Sequence, residues 1–197
     1  MDSSMYCVLA LNKRRGITLV ELMVTIAIAA ILMAVAAPAM TSFLLQGRIS
    51  AHVNDLVGAI NLARSEAVKR GGGVTICRSS DQASCSTATT GWEVGWIVFA
   101  DPNLNATVDA GETIIHVFPA LPNGSTAVAN SGMTTGITFA GNGRPGATFS
   151  GALMTICPST TSVGTSTSYC RYICINAQGR PRVDTPTAYA TDTICGN

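Results

Sequence analysis

Charge is what this chain has least of. Asp, Glu, Lys and Arg make up 12% of its 197 residues, and the formal net charge is +1. A nucleic-acid binder with a broad electrostatic footprint carries a strong basic excess. That class is excluded, and any contact with a polyanion must come from a local patch. Histidine is scarce too. His52 and His116 are the only 2, and neither stands near a CxxC pair. A zinc site built on the cysteines is therefore disfavoured. There is no GxSxG, and no nucleophile has an obvious base beside it. The GNG at 141–143 is too short for a phosphate loop and does not open a helix. No internal repeat is present. These absences describe a non-enzyme, with no metal or other cofactor expected.

Apolar residues, by contrast, are abundant and unevenly spread. From Ile17 to Ala37 the only charge is Glu21, and Lys13, Arg14 and Arg15 stand just before the run. A helix over this run is roughly 31 Å long at about 1.5 Å per residue, close to a hydrocarbon core of about 30 Å. Basic residues favour the cytoplasmic side, so the N-terminus should stay inside and the remainder be exported. An ordinary secretory signal is the competing reading, with cleavage near Ala34-Val35-Ala36. The run is too long for that class, it carries an acid, and the helical pattern continues past the cut.

The continuation is explicit. Ile49, Val53, Leu56, Val57, Ile60, Ala63 and Ala67 recur at steps of three and four, which is one apolar stripe of an amphipathic helix. Arg48, Asp55, Asn61, Arg64, Glu66 and Lys69 take the other faces, and Gly71-Gly72-Gly73 supplies the stop. Pro38 predicts a bend or loosening within the helix. Beyond residue 73 the texture changes to short β-rich runs separated by turn formers. Strands are expected at 74–77, 92–100, 113–118, 136–140, 152–157, 169–176 and 182–183. Residues 159–168 are expected, from their low-complexity composition, to form a surface loop.

Cysteine number is 7. Cys7 precedes the apolar run, and six follow it: Cys77, Cys85, Cys157, Cys170, Cys174 and Cys195. An even set on the exported side suggests disulfides in an oxidising compartment. Many connectivities are open. The preferred pairs are Cys77–Cys85 and Cys157–Cys170, which close short loops, and Cys174–Cys195, which ties down the C-terminus. The stretch 101–112 places Asp101, Asn103, Asn105, Asp109 and Glu112 at the ligand spacing of an EF-hand. Ala106 replaces the required glycine, and the flanks resemble strands and not helices, so a turn-rich hairpin loop is the stronger reading. His52 and His116 are expected to be structural.

Arg15-Gly16-Ile17-Thr18-Leu19-Val20-Glu21 resembles the processing signal of type IV pilins and type II secretion pseudopilins. The resemblance implies cleavage between Gly16 and Ile17 by a dedicated prepilin peptidase in the membrane, then methylation of the new N-terminus. The family usually has Phe where this chain has Ile17. A lone membrane carboxylate is costly and is normally functional. The resemblance implies that Glu21 pairs with the N-terminal amine of a neighbouring pilin subunit and sets the stagger of assembly. Residues 91–101 (GWEVGWIVFAD) and 137–144 (ITFAGNGR) look like segments of the GspH/FimT group of minor pilins. The fold implied is α+β, a long N-terminal helix packed on an antiparallel β-sheet. The expected division is a leader at 1–16, a membrane and assembly helix at 17–40, an amphipathic spine at 41–73 and a periplasmic β-rich domain at 74–197.

Within that group a C-terminal GRxR marks the FimT-type pilins that bind DNA in natural transformation, and Gly179-Arg180-Pro181-Arg182 fits it. Taken alone, the tetrapeptide is an ordinary turn with two solvated arginines. In an extended segment, however, Arg180 and Arg182 point the same way, about 6.6 Å apart, and guanidinium matches phosphate well. Pro181 disfavours helix at Arg180, Gly179 allows close backbone approach, and Arg171 and Arg144 would widen the patch. Tyr169, Tyr172 and Tyr189 could stack on single strands, with core packing the stronger reading. The expected location is the inner membrane of a Gram-negative bacterium, with the domain in the periplasm, and later the surface pilus. The alternative is a type II secretion pseudopilin or a pilus-priming subunit with a protein-binding head. A calcium-regulated secreted module is the third reading.

Overall fold

The computed structural model describes residues 16–87, 91–122, 124–159 and 169–184, with the side chains of 35, 37–39 and 131 excepted. The chain divides into two compact units, Met1–Ser42 and Phe43–Asn197. One helix, α1 (Leu19–Arg70), runs for 52 residues across that division. It passes through Pro38 without interruption.

Both ends of α1 are specified locally. At the start, Thr18 Oγ1 accepts a 3.2 Å hydrogen bond from the Glu21 amide, and the Thr18 carbonyl accepts from Leu22 N at 3.1 Å. Thr18 is thus the N-cap, and Glu21 stands three residues on, where an acid suits the positive end of the helix. At the end, Gly71 adopts φ +63°. Its amide bonds Val68 O, while Gly72 N bonds Ala67 O, both at 3.2 Å. That pair of bonds is a Schellman stop, which a glycine makes without steric cost.

In the first unit the α1 side chains that are described, among them Leu22, Ile26, Ile31 and Leu32, are mostly apolar and, Ala29 and Ser42 apart, exposed. Among the described residues no helix is long and apolar enough to cross a membrane. Positions 35 and 37–39 of the expected span lie outside the described side chains, and the span at 17–40 remains a reading of the sequence.

Among the described residues the second unit holds eight strands in two antiparallel sheets, where one sheet was expected. They are β1 (Val74–Arg78), β2 (Trp96–Ala100), β3 (Ile114–Phe118), β4 (Thr126–Ala129), β5 (Gly136–Phe139), β6 (Ala152–Cys157), β7 (Arg171–Ile175) and β8 (Pro181–Asp184). The first sheet has the order β3-β2-β1-β5 and the second β4-β6-β7-β8. Residues 92–94, expected as strand, form a one-turn 3-10 helix.

A single core joins α1 to both sheets. Ile49, Val53, Leu56, Ile60, Ala63 and Ala67 of the helix are buried against Val74, Ile76, Val98, Phe139, Met154 and Ile173. Ala59, absent from the expected stripe, is buried too. Each fully buried Ile or Leu contributes about 1.5–3 kcal/mol by leaving water, which explains why the stripe selects this packing. The first sheet is covered on its other face as well, where Cys77, Ile97 and Phe99 meet Cys85, Val108 and Ile114. This double burial is why β2 is an apolar run and why β1, with Thr75 and Arg78 in it, is buried along its whole length.

Two expected disulfides are present, Cys77–Cys85 and Cys157–Cys170. Cys174 is also disulfide-bonded; its expected partner, Cys195, lies outside the described residues.

Candidate nucleic-acid interface

The N-terminal site is open. Gly16 and Ile17 precede the helix, Ile17 is 75% exposed, and a Cβ on Gly16 would meet nothing within 4 Å. A scissile bond needs this kind of accessible, non-helical backbone. Glu21 is exposed on the first turn of α1.

The GRPR segment is the β7–β8 turn and the start of the edge strand β8. Asn176 builds the turn. Its Oδ1 accepts from Gln178 N at 3.1 Å and Arg180 N at 2.9 Å, and its carbonyl accepts from Gly179 N at 2.8 Å. Gly179 has φ +73° and is buried. A Cβ there would collide with the Phe139 ring and lie 2.8 Å from Pro145 Cγ. The glycine therefore serves the interior of the domain, where only hydrogen fits.

The arginines differ in what they touch. Arg180 is exposed and has no ion pair among the described residues. Arg182 donates from Nε and Nη2 to Asp184 Oδ2, each at 3.0 Å. Strand register sets their sides. Arg182 pairs with Cys174, whereas Arg171 pairs with Ile156, whose side chain is buried in the core. Arg171 is thus placed on the opposite face of the sheet, and its Nη1 donates to the Cys170 carbonyl at 3.0 Å. Arg144 is brought close. Pro145 bridges to Phe139 and packs on Gly179, so the turn bearing Arg144 abuts the turn bearing Arg180. Tyr169 and Tyr172 are half-buried, and Tyr189 lies outside the described residues.

The loop at 101–112 connects β2 to β3. Asp101 is fully buried and accepts from Thr75 Oγ1, Asn105 N and Ala106 N at 2.6, 3.0 and 2.9 Å. Asp109 accepts from Asn103 and Asn105 side-chain amides, which hold its carboxyl below the usual range. These oxygens are engaged by donors of the loop and, for Asp101, by Thr75 of β1. Among the described residues no group of three or more His, Cys, Asp and Glu is placed to hold a metal. His52 is half-buried, and burial lowers its pKa, with Asp55 opposing and Arg48 reinforcing the shift. His116 packs edge-on against Phe118 at 4.4 Å between ring centroids.

Comparison with known proteins agrees with this architecture. No curated relative matches. The crystal structure of the type IV minor pilin FimU of Pseudomonas aeruginosa superposes with a TM-score of 0.52, covering 78% of this chain and 98% of that one at 18% identity. A second crystal form of FimU gives 0.50, with 70% and 94% covered at 18% identity. That likeness shows the fold. Residues 11–37 match the prokaryotic N-terminal methylation motif, which implies processing by a prepilin peptidase and assembly with other pilin subunits. Residues 52–179 match the family of the type II transport protein GspH. Pilin-like proteins of this kind are structural subunits and not enzymes. With that match over most of its length, the methylation motif ahead of it and the pilin fold around it, the chain belongs to the GspH family of minor type IV pilins and pseudopilins.

Proposed function

We propose that this subunit is a minor type IV pilin that binds DNA without sequence preference and helps its uptake in natural transformation. It is cut between Gly16 and Ile17, held in the inner membrane by residues 17–40 with its domain in the periplasm, and drawn into the pilus with Glu21 paired to a neighbour's N-terminal amine. Arg180 carries the reading. It is an exposed guanidinium with no ion pair among the described residues, held on a turn locked by Asn176 and abutting the turn of Arg144. Such a group meets phosphate without first breaking an internal contact. Arg182 has to share itself with Asp184, so its contribution is smaller.

Phosphate contacts carry no sequence information and release counterions, so binding is salt-sensitive and non-specific. A few contacts per subunit give weak affinity, and several subunits in one filament add avidity. The test is a salt titration of labelled duplex DNA against the full-length protein in non-ionic detergent, with Arg180→Gln/Arg182→Gln beside it. Salt-sensitive binding lost in a folded double variant supports the reading. A wild-type protein that ignores DNA at low salt removes it.

The second reading is a pseudopilin or pilus-priming subunit with a protein-binding head. The Arg182–Asp184 pair favours it, because an arginine already neutralised at an edge strand is poorly prepared for phosphate. In that case the double variant changes secretion or pilus initiation and leaves DNA uptake untouched.

A further inference from the structure

Among the described residues, Arg48, Arg64, Arg144 and Arg180 are the arginines with neither a hydrogen bond nor an ion pair from the side chain. Arg48 lines a small groove with Leu45, Ile49 and His52. The other three stand on segments that pack against one another. Gly143 has φ +72°, and a Cβ there would lie 2.7 Å from Val68 Cγ2 and 3.6 Å from both Cγ and Nε of Arg64. The stem of Arg64 therefore lies over the turn that presents Arg144. A Cβ on neighbouring Gly141 would strike the backbone of Gly71 and Gly72, so the same turn also seats on the stop of α1. On its other side Pro145 packs on Gly179, next to Arg180. Helix, β5–β6 turn and β7–β8 turn thus bring one arginine each to a common junction.

We infer that Arg64 of the spine helix, together with Arg144 and Arg180, forms the phosphate-binding core of this subunit, a site that GRxR alone does not describe. The inference rests on the DNA-binding reading above and changes where its affinity resides. The nearest acid on the helix, Glu66, is occupied. It accepts from Lys69 Nζ at 3.1 Å and Arg70 Nε at 2.9 Å, and these bonds, Arg70's first, hold its carboxyl below the ordinary range. It does not capture Arg64. The carbonyl end of a helix normally repels anions, but here Gly71 N and Gly72 N bond two of the last carbonyls, and Lys69 and Arg70 stand in the last turn. Arg64 is half-buried and its stem is packed against the turn, so less side-chain entropy is lost on contact than for a free arginine.

The ligand class is the phosphodiester backbone of duplex DNA. Full-length protein in non-ionic detergent is titrated into fluorescein-labelled duplex between ~50 and ~200 mM salt, with anisotropy as the readout. Arg64→Met keeps the stem over Gly143 and removes the charge. It is expected to weaken binding about three- to tenfold and to lower the slope of log affinity against log salt by about 0.9. Arg64→Lys should keep most of that slope. Arg171→Gln, on the opposite face, should stay within about twofold of wild type. Thermal midpoints of all variants are measured in parallel, and Arg64→Gln is the second neutral variant if Arg64→Met is destabilised. Unchanged affinity and slope in both neutral variants, with loss in Arg180→Gln, overturns the role of Arg64 and leaves DNA binding standing. Absence of binding by the wild type overturns both.

Discussion

Thr75 Oγ1 donates a 2.6 Å hydrogen bond to Asp101 Oδ2 where both residues are fully buried. Thr138 Oγ1 lies a further 2.6 Å from the same hydroxyl. The carboxylate also takes the amides of Asn105 and Ala106. One buried acid thus ties β1 to the whole β2–β3 loop. Asp101→Ala leaves the half-buried Ala106 amide without its acceptor and leaves the Thr75 hydroxyl and the Asn105 amide with only Thr138 and Asn103, and it should cost about 1–3 kcal/mol, read from denaturant unfolding. Adding calcium should neither raise the midpoint of the wild type nor rescue the variant, because the donors of the loop and Thr75 occupy these oxygens. A calcium-dependent midpoint would contradict this.

Gly179→Ala tests whether the glycine of the GRPR segment serves packing. The new methyl meets Phe139 and Pro145 at φ +73°. Strain and overlap together should cost about 2–4 kcal/mol. DNA affinity of the molecules that remain folded should change little, since the charges are untouched. A stable Gly179→Ala protein with lost DNA binding would place the glycine at the ligand instead.

The two tryptophans make a matched pair. Trp92 Nε1 donates to the Met133 carbonyl at 3.0 Å, while buried Trp96 Nε1 finds no acceptor among the described residues. Replacement by Phe leaves a gap at either position. Trp92→Phe additionally orphans a buried carbonyl, whereas Trp96→Phe removes an unpaired donor and keeps the stack on Phe118, now 5.4 Å between centroids. Trp92→Phe should therefore be the more destabilising by about 1–3 kcal/mol in thermal or urea melts. Equal losses would refute the difference.

Acid unfolding should proceed in two arms. Burial holds His52 below its ordinary value of 6.5. Its neutral form is favoured in the fold, so that contribution is complete above pH 6.5 and declines as pH falls below it. Asp81 is held well below 3.8 by the Ser84 hydroxyl, the Ala83 and Ser84 amides and Ser79. Its contribution is complete above pH 3.8 and is lost as pH drops through the depressed folded value. Asp109 adds to the same window. Midpoints measured from pH 8 to pH 2 should show a shallower upper arm in His52→Gln and a shallower lower arm in Asp81→Asn. Parallel curves would defeat the assignment.

Glu21 has a local role and a proposed assembly role, and they separate cleanly. Thr18 caps the helix through the Glu21 amide, and an acid in the first turn is worth about 0.3–1 kcal/mol there. Glu21→Gln and Glu21→Val keep the backbone bond. If Glu21 only supports the helix start, both variants enter pili normally. If it pairs with a neighbour's amine, both are processed at Gly16 and fail to incorporate, as read by immunoblotting of sheared pili.

Some of this architecture is legible in one dimension because its causes are local. The α1 stripe from Ile49 to Ala67 and the glycine stop are short-range patterns, and a helix face or a Schellman turn needs nothing beyond them. β4 (Thr126–Ala129) escaped because alanines are weak strand formers and Ala127 alone of its four residues is buried. Trp92–Val94 passed for strand because its apolar composition matches the strand that follows. The division into two sheets was hidden, since β1 pairs with β5 across 60-odd residues while β4 joins β6, and no nearby residue encodes either choice.

The arginines show the same boundary. Asp184 two residues beyond Arg182 was a usable signal, because alternate strand residues share a face. The face of Arg171 was not, as it depends on pairing with Ile156 in another strand.

By itself the sequence determined the apolar run with its single acid, the helix and its two ends, the processing motif and a preference for disulfides that close short loops. Each of these follows from residues close along the chain, where capping, periodicity and loop closure act. Only the tertiary structure decided which charges are free and which meet. Arg64, Arg144 and Arg180 are distant in sequence, and long-range packing around Gly143 and Gly179 is the physical cause that puts them together.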